Sequence, residues 1–232
     1  MVELIAHRAG NSRAATECVR AVADVVEIDL HLHRGHVVVR HAKRLWPTGR
    51  LWERWYLLPR GTPVPDLVEA LDWLGPRSSL WVDCKGPVAL GLPGEVLRLV
   101  GSDRELTLSG KAWWVLARAA GTPGVRLVRS AGNRAELFLL LRLPSRVPLD
   151  GVALHERLLT PALVTDLRAR FGRVYCWAVD DEPRARELVG WGVAGLIMDD
   201  PALMQALAEP AVETDQAGRD ESRQGQADER ER

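Results

Sequence analysis

The sequence predicts an α/β fold built from eight β/α units, the rhythm of a short (β/α)8 TIM barrel. Two observations carry the class. Short apolar runs alternate with helix-period segments almost from end to end, and about 205 residues hold all eight units, at the short end for such a barrel. Several predicted helices also open with an expected start signal, such as Pro65-Asp66 or Pro161. The third observation concerns chemistry. His7-Arg8, Glu27-Ile28-Asp29 and His41 each lie at or near the end of a strand-like run, and in a parallel barrel those ends converge on one mouth. Alternation by itself fits a doubly wound open sheet equally well.

The elements follow in order. Val2–Ala6 reads as a strand and Ser12–Ala23 as a helix; Val25–Leu32 and His36–Arg40 read as strands joined by a turn at Arg34-Gly35. Asp66–Leu74 is a helix that Asp66 should cap. Leu80–Lys85, Glu105–Ser109, Val125–Val128, Val152–His155, Val174–Val179 and Ala194–Met198 are the later strands. The helices between and after them are Leu92–Val100, Ala112–Ala120, Ala135–Arg142, Pro161–Phe171, Pro183–Gly190 and one starting at Pro201. Residues 1–208 thus form the barrel domain, and residues 209–232, polar and without an apolar run, are expected to be a disordered charged tail.

Composition narrows the function classes. Hydrophobic residues at 47% and charged residues at 27% describe an ordinary globular chain. The formal charge is zero, yet residues 209–232 hold 8 acidic and 4 basic residues. Residues 1–208 therefore carry 27 basic against 23 acidic, a mild positive bias that suits a small anionic substrate and not a nucleic-acid binder. Cys18, Cys84 and Cys176 are odd in number and widely spaced, which argues against a disulfide framework or a structural zinc. A strand starts right after Met1, leaving no room for a signal peptide, and no apolar run reaches 18 residues, so neither an export signal nor an integral membrane segment is expected. A cytoplasmic location follows as the expectation. The sequence leaves the oligomeric state open.

Strand alternation puts Glu27 and Asp29 on one face, roughly 7 Å apart. Two carboxylates so placed repel unless a cation sits between them, and a hard divalent ion, Mg²⁺ or Ca²⁺, is the natural partner. Asp83 and Lys85 repeat the device on the next strand, offering a third carboxylate and a fixed positive charge for a phosphate oxygen. In-line displacement at phosphorus needs one group to take a proton and another to give one; two imidazoles near neutral pH suffice. Arg8 and the cation would hold the non-bridging oxygens. Taken singly, each of these residues more often has a structural role, and His31, His33 and His36 crowd one hairpin without an evident task. Residues 44–61 read as a loop over the mouth containing Trp46, Trp52, Trp55 and Tyr56 among arginines. It is either a lid or an aromatic-basic rim for a lipid-like or glycerol-like head group, or, the plainer expectation for Trp52 and Trp55, large rings buried under the loop.

The ordered set resembles the glycerophosphodiester phosphodiesterase family. HRAGN (7–11) is similar to its opening HRG motif, and VEIDLHLHRGHVVVRH (26–41) to its E-x-D strand, hairpin and second histidine. VPDLVEALDWL (64–74), WVDCK (81–85) and YCWAVDDEPRARELVGWGVAGLIMDDP (175–201) resemble its Pro-x-Leu helix, E-x-K strand and closing segments. Asp83 stands where the family usually has Glu, and Ala42 where Asp usually follows the second histidine. The resemblance implies a barrel, a divalent cation, and hydrolysis of small glycerophosphodiesters to glycerol 3-phosphate and an alcohol. It implies that His7 and His41 are the acid–base pair and that Glu27, Asp29 and Asp83 are metal ligands. Arg8 and Lys85 become phosphate contacts and Trp177 a wall of the glycerol pocket. A sphingomyelinase D-like reaction forming a cyclic phosphate uses the same imidazoles, and a non-catalytic phosphate-binding homologue is the third possibility.

Overall fold

The structure, a computed structural model, describes residues 1–209 apart from positions 46, 54, 77, 87–88 and 144–146. The expected tail beyond residue 209 and Trp46 lie outside the described residues. In chain order the elements begin with β1 (Glu3–Ala6), α1 (Arg13–Val19), β2 (Val25–His33) and β3 (His36–Val39). Three short strands follow, β4 (Lys43–Arg44), β5 (Leu51–Glu53) and β6 (Tyr56–Leu57), and then α2 (Leu67–Leu74). The remainder alternates strictly: β7 (Ser79–Cys84), α3 (Leu92–Val100), β8 (Leu106–Gly110), α4 (Trp113–Leu116), β9 (Val125–Ala131) and α5 (Arg134–Arg142). It closes with β10 (Gly151–His155), α6 (Pro161–Phe171), β11 (Arg173–Trp177), α7 (Glu182–Gly190), β12 (Gly195–Met198) and α8 (Pro201–Ala208).

Parallel pairing runs β1-β12-β11-β10-β9-β8-β7-β2 and returns to β1, where Ile5 pairs with Val25, so the sheet is a closed barrel and not an open one. β3 adds to β2 as an antiparallel extension. Local signals act as read from the sequence. Asp66 caps α2 by accepting from the Glu69 N–H at 2.8 Å, and Thr160 caps α6 ahead of Pro161. Strand β11 stops two residues short of its expected end because Ala178 adopts a left-handed conformation (φ 61°), which ends an extended run. In the stretch expected to be a loop, β4, β5 and β6 pair into a small three-stranded antiparallel sheet.

The apolar side chains divide into two zones. Leu, Val and Ile facing outward from the strands pack against the helices. Inside, Ile5, Val25, Trp81, Val128, Ala153, Tyr175 and Ile197 fill the barrel waist. Trp81 and Tyr175 meet edge to face at 4.7 Å, and the Trp81 indole donates to Ser109 Oγ at 2.8 Å. Below them, Arg126 and Glu3 pair at 2.8 Å. This plug makes the interior a packed core and separates the Arg126–Glu3 pair from the C-terminal mouth.

Candidate active site

Strand β2 delivers Glu27 and Asp29 to the interior, in register with Trp81 and Asp83 of β7. Glu27 is 3% exposed and Asp29 wholly buried, a costly position for two carboxylates. Three neighbours offset that cost. The Arg8 backbone N–H donates to Glu27 Oε2 at 2.5 Å. Asn11 grips Asp29 twice: its amide donates to Oδ2 at 2.8 Å and its carbonyl accepts from the Asp29 N–H at 2.9 Å. Lys85 Nζ sits 2.7 Å from Asp29 Oδ1 and also contacts Asp83. Arg8 holds a left-handed φ of 54°, which turns its N–H onto Glu27, while its Nε lies 3.6 Å from Asp29 Oδ2. Gly10 is needed beneath this turn, since a Cβ there would stand 2.8 Å from Ile28 Cβ and 3.0 Å from the Glu27 carbonyl oxygen.

Charge balance follows from this arrangement. Burial, and then the Asp29 carboxylate, push the Glu27 carboxyl well above the usual range, with Lys85 opposing. Burial works the same way on Asp29, but the Lys85 ammonium and the Asn11 amide outweigh it and hold Asp29 below its ordinary value. Burial would discharge Lys85; Asp83, Asp29 and Glu27 overcome it, so its pKa is raised and the ammonium persists. One positive charge therefore stands among three carboxylates.

His7 follows β1 and its Nδ1 lies 2.8 Å from Asp199 Oδ1, at the end of β12. His41 follows β3 and its Nδ1 lies 2.5 Å from Glu53 Oε1, on β5. Each imidazole is thus oriented by a carboxylate, which fixes Nδ1 as the donor and leaves Nε2 to exchange protons. Burial lowers the His41 proton affinity most, the Asp29 charge counters it, Arg8 and Lys85 lower it further, and the Glu53 hydrogen bond raises it. Neither Asp199 nor Glu53 stands out in the sequence. Asp199 lies within the DDP string (199–201), and Glu53 lies in the stretch expected to be a loop.

Across the mouth, Trp177 ends β11 and its ring meets His155 of β10 at 4.5 Å between centroids. The Trp177 Nε1 is buried with no hydrogen-bond partner among the described residues. Gly132 keeps this wall open: a Cβ there would come within 3.0 Å of the Trp177 ring and 3.3 Å of Lys111 Nζ. His31 shares the face of Glu27 and Asp29, but burial, with Arg40 adding to it, pushes its pKa down to about 3, so it stays neutral. Trp52 and Trp55 depart from the plainer expectation. Trp55 is 90% exposed at the tip of the β5–β6 hairpin and Trp52 is 37% exposed, because the alternation of β5 sends Leu51 and Glu53 inward and Trp52 outward.

The carboxylates suit a divalent ion. One oxygen from each of Glu27, Asp29 and Asp83 lies within 4.8 Å of the others, a spacing that oxygen donors around a single Mg²⁺ or Ca²⁺ can take up. The donor set is all hard oxygen, with a positive residue already balancing part of its charge.

Comparison with known proteins bears on the fold and on the second half of the chain. Residues 104–203 match the glycerophosphoryl diester phosphodiesterase family, a segment that contains Trp177 and Asp199 and starts beyond His7, Glu27, Asp29, His41, Asp83 and Lys85. A phosphodiesterase from Oleispira antarctica, solved with the product sn-glycerol-3-phosphate, superposes with a TM-score of 0.70 at 21% identity, covering 90% of this chain and 97% of that one. Glycerophosphodiester phosphodiesterases from Thermotoga maritima (TM-score 0.66, 18% identity, 89% and 98% covered) and Parabacteroides distasonis (0.65, 21%, 89% and 96%) have the same fold. None of the curated proteins matches the chain.

Proposed function

With the resemblance to the glycerophosphodiester phosphodiesterase family shown in the 104–203 segment and in the fold, we propose that this chain is a phosphoric diester hydrolase. It cleaves glycerophosphodiesters to glycerol 3-phosphate and an alcohol. The observation that carries the reading is the pairing of two mouth imidazoles, His7 and His41, each with its own carboxylate, beside a cluster of three acids.

Water attacks phosphorus in line with the leaving alkoxide. One imidazole takes the proton of the water at Nε2 and the other delivers one to the departing oxygen. Arg8 and Lys85 lie within reach of the acid cluster and hold the non-bridging oxygens of the phosphate. Glu27, Asp29 and Asp83 would hold the divalent cation, which when bound supplies Lewis-acid stabilisation of charge on the phosphoryl group. Trp177 offers a flat wall and a free indole N–H for the glycerol hydroxyls. The three free cysteines suit a reducing, cytoplasmic setting, and among the described residues no helix is long and apolar enough to cross a membrane.

The test is release of glycerol 3-phosphate from a panel of glycerophosphodiesters by purified protein with Mg²⁺ or Ca²⁺. His7→Ala and His41→Ala should each lose about 10²–10⁴-fold in rate. No product from any diester with either metal would sink the reading. Phosphorus NMR of the products distinguishes water attack from attack by a neighbouring hydroxyl, which leaves a cyclic phosphate.

A further inference from the structure

We propose that the outward face of the small β4–β6 sheet is a docking surface for an anionic lipid interface, set beside the catalytic mouth. Its construction follows from register. Lys43 pairs with Trp52, and Trp52 with Leu57, so these three side chains form one cross-strand row on the face opposite to Leu51 and Glu53. Leu51 is 8% exposed and Glu53 is turned onto His41, which identifies their face as the inner one. The outer row ends in Leu57, 42% exposed, next to the hairpin tip that carries Trp55 at 90% exposure; Tyr56, 58% exposed, pairs with Glu53 and lies on the other face.

Two properties select the occupant. Exposed large apolar side chains clustered on one face mark an interaction site, and Trp52 and Trp55 are amphipathic rings of the kind that settle at the head-group level of a bilayer. The charge is one-sided. Residues 43–60 contain five basic residues and a single acid, and that acid, Glu53, is withdrawn to the inner face and spent on His41. The charge on the outer row is Lys43, which pairs with Trp52, and Arg60 is exposed just beyond β6. Exposed aromatic rings on a segment rich in cations complement a surface of anionic head groups. A protein partner would be expected to meet acids as well as bases on such a patch.

The position gives the surface a consequence. The sheet begins two residues after His41 and supplies its carboxylate partner. A glycerophosphodiester carrying an acyl chain, held in such an interface, would therefore be presented next to the imidazole. The docking itself does not depend on the hydrolytic reading, and its test is made on binding.

The full chain is sedimented with phosphatidylcholine vesicles and with phosphatidylcholine–phosphatidylglycerol vesicles at low and high salt. Binding is expected to the anionic vesicles, weakening as salt rises, with little to pure phosphatidylcholine. Lys43→Ala should bind roughly fivefold more weakly, and Trp55→Ser with Leu57→Ser should abolish binding while the melting temperature and turnover of a soluble glycerophosphodiester stay unchanged. Equal binding to both vesicle types, no binding to either, or undiminished binding by the double variant would each overturn the proposal. So would concentration-dependent self-association that the double variant removes. Loss of hydrolysis with vesicle binding intact would count against the catalytic reading alone.

Discussion

Replacing Glu53 by Gln tests the site at its most specific contact. The substitution keeps the shape of the side chain and removes the charge 2.5 Å from His41 Nδ1. A hydrogen bond to a charged partner is worth about 1.5–3 kcal/mol, and the lower end applies here because the His41 ring keeps 28% of its surface in solvent. If that energy stabilises the imidazolium formed during proton transfer, kcat should fall about tenfold while KM barely moves. The pH profile carries the sign. Burial already holds His41 below the ordinary histidine value, and the Glu53 hydrogen bond works against that. Removing it weakens the proton affinity further, so the limb of the profile belonging to His41 moves to lower pH in Glu53→Gln. The assay is steady-state hydrolysis of a soluble glycerophosphodiester across pH, with a melting curve of the variant as control. A variant that melts normally, keeps kcat within about twofold and shows an unmoved limb would refute the reasoning, since a tenfold effect corresponds to about 1.4 kcal/mol.

Other outcomes follow from the same geometry. Saturating Mg²⁺ or Ca²⁺ should raise stability by about 2.7 kcal/mol at one hundred times Kd, seen as a higher melting temperature that EDTA reverses, and Asp83→Asn should shrink that gain. Asp199→Asn should lower kcat about tenfold, because it weakens the 2.8 Å contact that orients His7; steady-state kinetics with a melting curve as control checks it. Gly10→Ala drives a methyl against Ile28 and the Glu27 carbonyl; urea unfolding should show a loss of about 1–3 kcal/mol, with activity falling further as Arg8 and Asn11 are displaced.

Much of this site was legible one strand at a time. Glu27 and Asp29 share a face because strand side chains alternate, and that rule needs no tertiary information. The same holds for Asp83 with Lys85, for the Asp66 cap, and for the ends of β1 and β3 that place His7 and His41. The residues that escaped are those whose partners are distant in sequence or lie in an irregular stretch. His7 and Asp199 are 192 positions apart and meet only because β12 pairs with β1. Glu53 sits in a segment read as loop, where two- and three-residue strands leave too few turns of the pattern for alternation to show.

The sequence by itself thus determined the eight β/α units, the shared face of Glu27 with Asp29 and of Asp83 with Lys85, and the strand ends at which His7 and His41 lie. Only the tertiary structure decided that the sheet closes, that Lys85 stands among Glu27, Asp29 and Asp83, that each histidine has a carboxylate behind it, and that Trp52 and Trp55 face solvent. The reason is range. Periodicity encodes the environment of a residue along its own element, whereas closure and side-chain pairing depend on the twist and stagger of strands that the chain brings together from far apart.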